Sequence, residues 1–336
     1  MRRITVLFFL ILFSVISGRA DGVSVTLTTY EYESRPAHVD IASQNLSRLL
    51  SEINRAQASG SAVNTSGLNI SSLAKETIDQ IWKSAPFYVD EEEIVERCWL
   101  FGDGTLMVSH IPLIISPVGE DFGKGSFQEA VVEFDKRGKI SDFRFALSAQ
   151  MSESMERIGS IASKEQQMII LKNVEYFRTA YNRKDINYIE KMFSDDALII
   201  TGTVVEKCTK VDGIIRQQNR VKYTKQTKEQ YIANLKKAFL LNKWIDVQFE
   251  PIQIGGSSDQ VVSRSTTDPT KFGIRLKQTW RSSRYHDEGY LFLLWEIPED
   301  GGDPIIHVRT WQPCYVGNEL VEPDPEISTL PGFGIP

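Results

Sequence analysis

The sequence of 336 residues predicts an α+β protein of two domains, each with helices packed on one face of a curved antiparallel sheet. Two observations carry this prediction. Helical periodicity followed by strand alternation occurs twice along the chain, and the length suits two domains of ordinary size. The repetition lies in the order of the elements rather than in residue identity, so it indicates a tandem repeat at the level of the fold.

The first half begins with a predicted edge strand, because threonines and a tyrosine alternate over residues 23–33. Two helices follow, each with an apolar stripe. The stripes are Leu46, Leu49, Leu50 and Ile53 in the first helix, and Leu73, Ile78, Ile81 and Trp82 in the second. Four strands come next, and residues 135–138 join the last two as a hairpin in which Gly138 supplies the left-handed residue.

The same order of elements starts again near residue 165. One helix carries an apolar face of Leu171, Val174, Phe177 and Tyr181, and a short helix is predicted over 185–193. Thr227 followed by Gln230 forms a capping box at the start of a third helix. Three strands are predicted to finish this half, over residues 273–282, 290–297 and 305–313.

These patterns divide the chain into five segments. They are a signal peptide (1–20), an N-terminal α+β domain (21–150), a linker (151–164), a second α+β domain (165–318) and a Pro-rich tail (319–336) that we expect to be loose.

The first residues have the layout of a cleaved secretory signal. Arg2 and Arg3 precede an apolar run over residues 4–16, and small residues stand before Asp21. The run is shorter than the roughly 20 residues that span a bilayer. A bacterial lipid anchor would need a cysteine directly after the cleavage point, but the first cysteine is Cys98. We therefore expect an exported protein, periplasmic or extracellular, without a lipid or other stable membrane anchor.

The net charge and the absence of known motifs argue against several classes of function. The net charge of −6 and pI near 5.5 give no basic field for nucleic acid. The chain has no HExxH, GxSxG, P-loop or GxGxxG motif, and its cysteines and histidines have no metal-ligand spacing, so we expect no metal and no cofactor. Of its three cysteines, Cys208 and Cys314 are candidates for one disulfide bridge, although buried free thiols are the commoner state.

One stretch of the second half resembles a known superfamily. Glu-Tyr-Phe-Arg-Thr-Ala-Tyr-Asn-Arg-Lys-Asp at 175–185, followed by Phe-Ser-Asp-Asp-Ala at 193–197, resembles the opening of nuclear transport factor 2-like domains, which include ketosteroid isomerase and polyketide-cyclase-like proteins. The resemblance implies a cone-shaped fold of the cystatin-like kind, whose helices and curved sheet enclose a pocket, and a bacterial source. A looser resemblance covers the hairpin over 128–140.

The resemblance does not extend to isomerase chemistry. In ketosteroid isomerase a tyrosine of the first helix donates to the substrate oxyanion, and Phe177 stands at the matching position here. The aspartate that serves as the isomerase base is matched by Thr201, whose hydroxyl is not a base near neutral pH.

Strand alternation selects the candidate pocket residues. In the last predicted strand Ile305, His307, Arg309 and Trp311 share one face, and Trp280 lies on the corresponding face of another strand. Arg309 can hold a carboxylate, and the tryptophans can supply a stacking surface. The predicted ligand-binding residues are therefore Tyr181, Trp280, His307, Arg309 and Trp311. The alternative is that His307 and Arg309 lie on an open sheet face or between domains.

A second candidate cluster is His286, Asp287 and Glu288, between two predicted strands. These residues could transfer protons or contribute to a metal site, but a polar hairpin loop explains them equally well.

Three hypotheses for the function follow. The first is an exported, non-catalytic protein that binds a small molecule or another envelope protein. The second is a cyclase- or dehydratase-type enzyme that uses His307, helped by Tyr181 or Arg309. The third is a structural partner in a surface complex, with the exposed sheet and the tail as contact surfaces. Pairing of the two domains, or of two copies of the chain, is compatible with each hypothesis.

Overall fold

The computed structural model describes residues 22–29, 36–115, 127–147, 164–211, 214–254, 257–258, 261–298 and 302–328. The predicted signal peptide and residues 151–163 of the predicted linker lie outside these ranges. The domain boundaries therefore stay a prediction. Among the described helices, none is long and apolar enough to cross a membrane.

The described part of the first half has two helices and one mixed sheet. The helices are α1 (Ala37–Ser59) and α2 (Ser72–Ser84), and the strands are β1 (Ser24–Thr29), β2 (Phe87–Tyr88), β3 (Glu93–Leu100), β4 (Leu106–Ile115), β5 (Phe127–Phe134) and β6 (Ile140–Phe145). The strand order is β1-β3-β4-β5-β6, with β2 paired to β4. β1 lies at the edge, as predicted, but it runs parallel to β3, so the sheet is not purely antiparallel.

The helices of this half pack on the sheet through the predicted apolar faces. All four residues of the α1 stripe are fully buried. In α2 the prediction was wrong for Leu73, which is exposed. Ser71 caps α2 by accepting a hydrogen bond from the Ala74 amide, and the buried face runs through Ala74, Thr77, Ile78 and Ile81 instead.

The second half has a longer mixed sheet. Its described helices are α3 (Lys164–Asn182), α4 (Ile186–Met192), α5 (Lys228–Leu241) and α6 (Pro325–Ser328). Its described strands are β7 (Phe193–Val211), β8 (Ile214–Gln226), β9 (Ile245–Glu250), β10 (Gln253–Ile254), β11 (Ser257–Ser258), β12 (Val262–Arg264), β13 (Lys271–Ser282), β14 (His286–Glu296), β15 (Ile305–Pro313), β16 (Tyr315–Val316) and β17 (Glu319–Leu320).

The main sheet of this half has the order β12-β13-β14-β15-β7-β8, with β9 also on β13. β15 and β7 are parallel and the other pairs antiparallel. The two halves thus share an α+β architecture of helices on curved sheets, whereas their strand orders differ. The capping box at Thr227 and Gln230 is present at the start of α5, and β15 has the predicted bounds.

Each half has its own apolar core. The core of the first half is built around the α1 stripe and aromatic residues of β5 and β6 such as Phe134 and Phe143. The core of the second half is built around Phe177, Phe249 and Trp295, whose rings stack or meet edge to face.

The halves meet through polar side chains of α3. Arg144 on β6 is almost fully buried and donates hydrogen bonds to Glu175 of α3 (2.8 Å), Asp142 (2.7 Å) and Glu133 (2.9 Å). Arg178 of α3 donates to the carbonyl of Val247 on β9 (2.8 Å) and to that of Ala146, directly after β6. One helix therefore contacts an edge strand of both sheets.

The C-terminal segment differs from the loose tail expected from its prolines. Up to residue 328 it lies on the outer face of the second sheet, because Gln312 of β15 receives a hydrogen bond from the Asp324 amide (2.8 Å) and donates one to the Glu322 carbonyl (3.0 Å). Thr310 donates to the Ile327 carbonyl (2.6 Å). Strand side chains thus satisfy the backbone of a segment that has little regular structure of its own.

The first prediction concerns Gly138 in the β5–β6 hairpin, where φ is 74° and an added Cβ would lie 2.7 Å from the His38 carbonyl oxygen and 2.9 Å from the Ala42 nitrogen. Gly60 is the matched control, because φ is 62° there but nothing lies within 4 Å of an added Cβ. We expect Gly60→Ala to cost about 1 kcal/mol of unfolding free energy from backbone strain. Gly138→Ala should cost ~1–3 kcal/mol more because of the overlap with α1. Urea unfolding measures both, and equal losses would contradict the close packing of the hairpin on α1.

The second prediction concerns Arg144. Arg144→Met leaves three carboxylates at the junction of the halves without their shared cation, so we expect a loss of about 3–5 kcal/mol in unfolding free energy. Arg137→Met is the control, since the Arg137 side chain is 82% exposed and its nitrogen lies 3.8 Å from Asp135. That change should cost less than ~1 kcal/mol. Similar losses in the two variants would show that the buried network does not stabilise the junction.

Candidate functional site

A cavity of about 760 Å³ lies between α5 and the inner face of the second sheet. Its residues come from β7, β8, α5, β13, β14, β15 and β16 and the turns beside them. The lining includes Thr201, Gln226, Tyr231, Asn234, Leu235, Gln278, Trp280, Tyr285, Asp287, Arg309 and Trp311. The volume falls within the range of small-molecule sites.

Strand alternation sets which side chains reach the cavity. Trp280 on β13 pairs with Asp287 on β14, and both side chains line the cavity. On β15, Arg309 and Trp311 lie two residues apart and point to the same side. Three neighbouring strands therefore bring two tryptophans, one arginine and one aspartate to one inner surface.

Gly289 makes room for Trp311. A Cβ added at Gly289 would lie 2.5 Å from two atoms of the Trp311 indole and 2.3 Å from the Gln312 carbonyl oxygen. Glycine is therefore required on β14 where the indole crosses it. Our sequence interpretation missed this residue, although its place in an otherwise bulky strand is the signal for close approach.

Arg309 is held from two sides. Its side chain is buried, its guanidinium carbon lies 5.0 Å from the centre of the Tyr231 ring, and it donates a hydrogen bond to the Tyr181 hydroxyl. The Tyr181 and Tyr231 hydroxyls are 2.5 Å apart. The Nε atom of Arg309 is buried and has no hydrogen-bond partner. The guanidinium is thus fixed in place with one donor left over.

Asp287 is one of two acidic residues that line the cavity, the other being Glu288. The sequence interpretation left Asp287 open as a proton-transfer group, part of a metal site or part of a polar hairpin loop. Asp287 lies inside β14, is half-buried, and accepts a hydrogen bond from the Tyr285 hydroxyl. Burial raises the pKa of its carboxyl above the ordinary value, against the lowering effects of Tyr285 and Arg309. Its Oδ1 atom is buried without a partner. The alternation of Asp287, Gly289 and Leu291 along β14 was the signal for its inward direction.

Three residues of the cavity lining carry buried polar atoms without a hydrogen-bond partner. Besides Arg309 Nε and Asp287 Oδ1, the indole Nε1 of Trp311 is buried without a partner. Buried polar groups in folded proteins are nearly always hydrogen-bonded, because leaving them unpaired costs free energy. Two unpartnered donors and one unpartnered acceptor thus belong to residues that line the same cavity.

His307 does not line the cavity, so the prediction that it shares a face with Arg309 and Trp311 was wrong. The register of β15 on β14 shifts here, since Val308 pairs with Leu294 but Ile306 pairs with Trp295, which leaves His307 as the extra residue of a β-bulge. The bulge reverses the alternation and turns Ile306 into the core. His307 Nε2 lies 2.6 Å from the Glu296 carboxylate, away from the cavity residues.

The other predicted residues take distinct places. Trp280 lines the cavity, and Tyr181 lies beneath it, with its ring centre 5.8 Å from that of Trp280. Of the two positions compared with the isomerase, Thr201 lines the cavity, whereas Phe177 is in the core, 4.9 Å from the Tyr181 ring. Neither position carries the isomerase's acid or base.

The structure also bears on two other candidates, a metal site at residues 286–288 and a disulfide between Cys208 and Cys314. No group of three or more His, Cys, Asp or Glu side chains in them could hold a metal ion, and Glu288 pairs with Lys277 at 2.9 Å instead. Cys314 is a buried free thiol, so it forms no disulfide with Cys208. The side chain of Cys208 lies outside the described part.

No protein-family model matches the chain, and no curated protein matches it. Among solved structures, the chain is similar to Bd1075 of Bdellovibrio bacteriovorus, with 13% identity over 45% of this chain and 44% of that one, at a TM-score of 0.29. It is also similar to an NTF2-like protein of unknown function from Shewanella oneidensis (12% identity, 44% of this chain, 98% of that one, TM-score 0.29). A third neighbour is an NTF2-like protein from Cytophaga hutchinsonii (15% identity, 44% and 98%, TM-score 0.30).

The nuclear transport factor 2-like neighbours bear the name of the superfamily that the sequence resembles. The matches extend over less than half of this chain, and over less than half of the Bdellovibrio protein. Fold and cavity together define an α+β protein whose second half contains a cavity in the size range of small-molecule sites.

The third prediction tests the state of Asp287. Because burial raises the pKa of Asp287 above the ordinary 3.8, the folded state binds more protons than the unfolded state in the window above that value, and stability falls as pH rises through it. Asp287→Asn removes this loss. We expect the variant to be more stable than the wild type at pH 7, with a difference that shrinks below about pH 4.

Urea unfolding between pH 4 and pH 8 measures the difference, and Asp303→Asn, at an exposed position, is the control that should leave the pH dependence unchanged. A variant less stable than the wild type at pH 7 would show that the Asp287 carboxylate makes a net stabilising contact.

Proposed function

We propose that the protein is an exported, non-catalytic binding protein that holds a small polar organic molecule in the cone of its second half. The observation that carries this proposal is the set of three unpartnered buried polar atoms, Arg309 Nε, Trp311 Nε1 and Asp287 Oδ1, around a cavity of about 760 Å³. Export is supported by the basic, apolar and small-residue layout of residues 1–20.

The energetics support a bound molecule. Desolvating an amide-like or hydroxyl group without a new hydrogen bond costs roughly 1–3 kcal/mol by mutational data. A ligand that reaches all three atoms recovers much of that cost, and the aromatic walls provide apolar contact. The site is also formed in advance, because Tyr181 and Tyr231 hold the Arg309 guanidinium. Preorganisation of this kind favours binding.

Two features favour binding over catalysis. The histidine of the cyclase or dehydratase hypothesis lies outside the cone, hydrogen-bonded to Glu296. The two positions compared with the isomerase carry Phe177 and Thr201. His286 and Glu288 also line the cavity, but burial raises the pKa of Asp287, which suits its carboxyl to proton transfer better than an exposed carboxylate. An enzyme that uses Asp287 is therefore the catalytic alternative.

The hypothesis of a structural partner has less support. It uses an open sheet and a loose tail, but residues up to 328 lie against the outer face of β15 through Thr310 and Gln312.

The fourth prediction is the bound molecule itself. Native mass spectrometry of the whole protein, purified gently from its exporting host, should show a reproducible extra mass. Arg309→Met should lose that mass because the buried donor is removed. Arg220→Met, at an exposed position on β8, should keep it. Circular dichroism and thermal unfolding check that both variants are folded.

Three outcomes are decisive. Bare protein in every preparation, or an extra mass that folded Arg309→Met retains, would contradict a ligand held in the cone. A bound molecule that the protein converts at a measurable rate, with the rate lost in Asp287→Asn, would favour the enzyme alternative.

A further inference from the structure

Resting on the proposed function, we propose a ligand class for the cone: a planar, aromatic organic acid that carries a second polar group. The carboxylate points inward to Arg309 and Trp311, and a hydroxyl or amine at the other end donates to Asp287.

The cone has a deep end and a mouth. Arg309 and Trp311 are only 6% and 7% exposed, Asp287 is half-buried, and Tyr285 beside it is 57% exposed. The residues that carry the unpartnered donors are therefore more buried than Asp287, which carries the unpartnered acceptor and lies beside the exposed Tyr285. A ligand that satisfies both ends has its acceptor group inside and its donor group towards solvent.

The deep end selects an anion. Its two unpartnered atoms, Arg309 Nε and Trp311 Nε1, are both N–H donors, and one belongs to a cation. The Tyr231 ring lies over the guanidinium face, so a ligand approaches the guanidinium at its edge. Edge-on approach is how carboxylates bind arginine, and such charge-assisted hydrogen bonds are about twice as strong as neutral ones.

The mouth selects a donor. Asp287 Oδ1 is an acceptor when the carboxyl is ionised, and the Tyr285 hydroxyl already donates to this carboxyl. A second acidic group on the ligand would be repelled here, whereas a hydroxyl or amine supplies the missing hydrogen. The nearby Glu288 has its own partner in Lys277, and His286 is exposed at the rim. Asp287 is thus the acidic residue of the cavity lining with an oxygen that has no partner.

The walls favour a planar ring. Trp280, Tyr231 and Trp311 line the cavity together with apolar Leu235 and Ala238. Trp280 is fixed edge to face against the buried Tyr181 ring, with an interplanar angle of 78°. Fixed aromatic walls suit an aromatic or otherwise flat ligand, which can stack on them without ordering flexible bonds.

The fifth prediction tests this class with four probes: 4-hydroxyphenylacetate, phenylacetate, 2-phenylethanol and tyramine. Isothermal titration calorimetry of the whole protein should show tightest binding of the hydroxy acid. Phenylacetate should bind several-fold more weakly, and 2-phenylethanol about tenfold more weakly again because it lacks the charged acceptor. Tyramine, which places a cation against Arg309, should bind most weakly.

Three variants test whether the order of probe affinities depends on the proposed contacts. Arg309→Met should abolish the preference for acid over alcohol, and Asp287→Asn should reduce the preference for the hydroxy acid over phenylacetate. His307→Gln, outside the cone, should leave the order unchanged, and thermal unfolding checks the fold of each variant. Equal affinities for acid and alcohol, or acid binding unchanged in folded Arg309→Met, would overturn the ligand class.

The mass found by native mass spectrometry separates this proposal from the one on which it rests. A bound aromatic acid supports both. A bound molecule that is neutral or cationic overturns the ligand class and leaves the binding function in place. No bound mass together with no binding of any probe overturns both.

Discussion

Four polar side chains along one face of α3 connect the two halves of the molecule, because they hydrogen-bond to edge segments of both sheets. Glu175 and Thr179 accept from the amides of Leu147 (3.4 Å) and Phe145 (3.1 Å) at the β6 edge. Asn182 accepts from the amide of Val247 on β9 (2.7 Å), and the Val247 carbonyl accepts from Arg178. Exposed edges are sites of unwanted strand pairing, and here one helix covers an edge of each sheet. The outer edge of β1 is covered in the same way, because Ser43 and Ser47 of α1 accept hydrogen bonds from its backbone amides. Ser51 accepts one from the amide of Val23, directly before β1.

The opposite side of the same helix builds the floor of the cone. Phe177 and Tyr181 project into the second core, and the Tyr181 hydroxyl holds both Tyr231 and Arg309. The position of the Arg309 guanidinium therefore depends on how α3 is seated, and α3 is seated by its contacts with the first half. This linkage gives the first half a role in the site although it contributes no residue to the cavity lining. It also explains why a helix with so many charged residues is buried on two sides.

The elements that could be predicted from the sequence are those in which one regular pattern runs undisturbed. The α1 stripe, the hairpin at Gly138, the capping box of α5 and the bounds of β15 are local in origin, and the structure has all of them. The wrong predictions concern residues whose positions depend on contacts with parts of the chain that are distant in sequence. A bulge set by the pairing of β15 with β14 moved His307 off the face that simple alternation gives it. Glu175 and Arg178 look solvent-facing in sequence, because nothing local shows that Arg144 and two edge strands lie opposite them. Asp287 was placed between two predicted strands, because the extension of β14 to His286 depends on its pairing with β13.

What distinguishes the cone from an imperfectly packed core is the clustering of its unpartnered atoms. Other described residues also bury a polar atom without a partner, among them Arg183, Asp246 and Trp295, but none of these three lines the cavity, and Trp295 lies inside the apolar core. Isolated defects of this kind occur at a rate of a few per hundred residues in native proteins. Three such atoms belong to residues that line one cavity, which separates them from defects scattered over the molecule. Gly289 strengthens this interpretation, because a strand that gives up a side chain to seat the Trp311 indole loses β-propensity and apolar contact. A sequence selected only for a stable core would gain folding stability if larger side chains filled the cavity. A sequence that binds a polar ligand has to keep both the space and the unpartnered atoms.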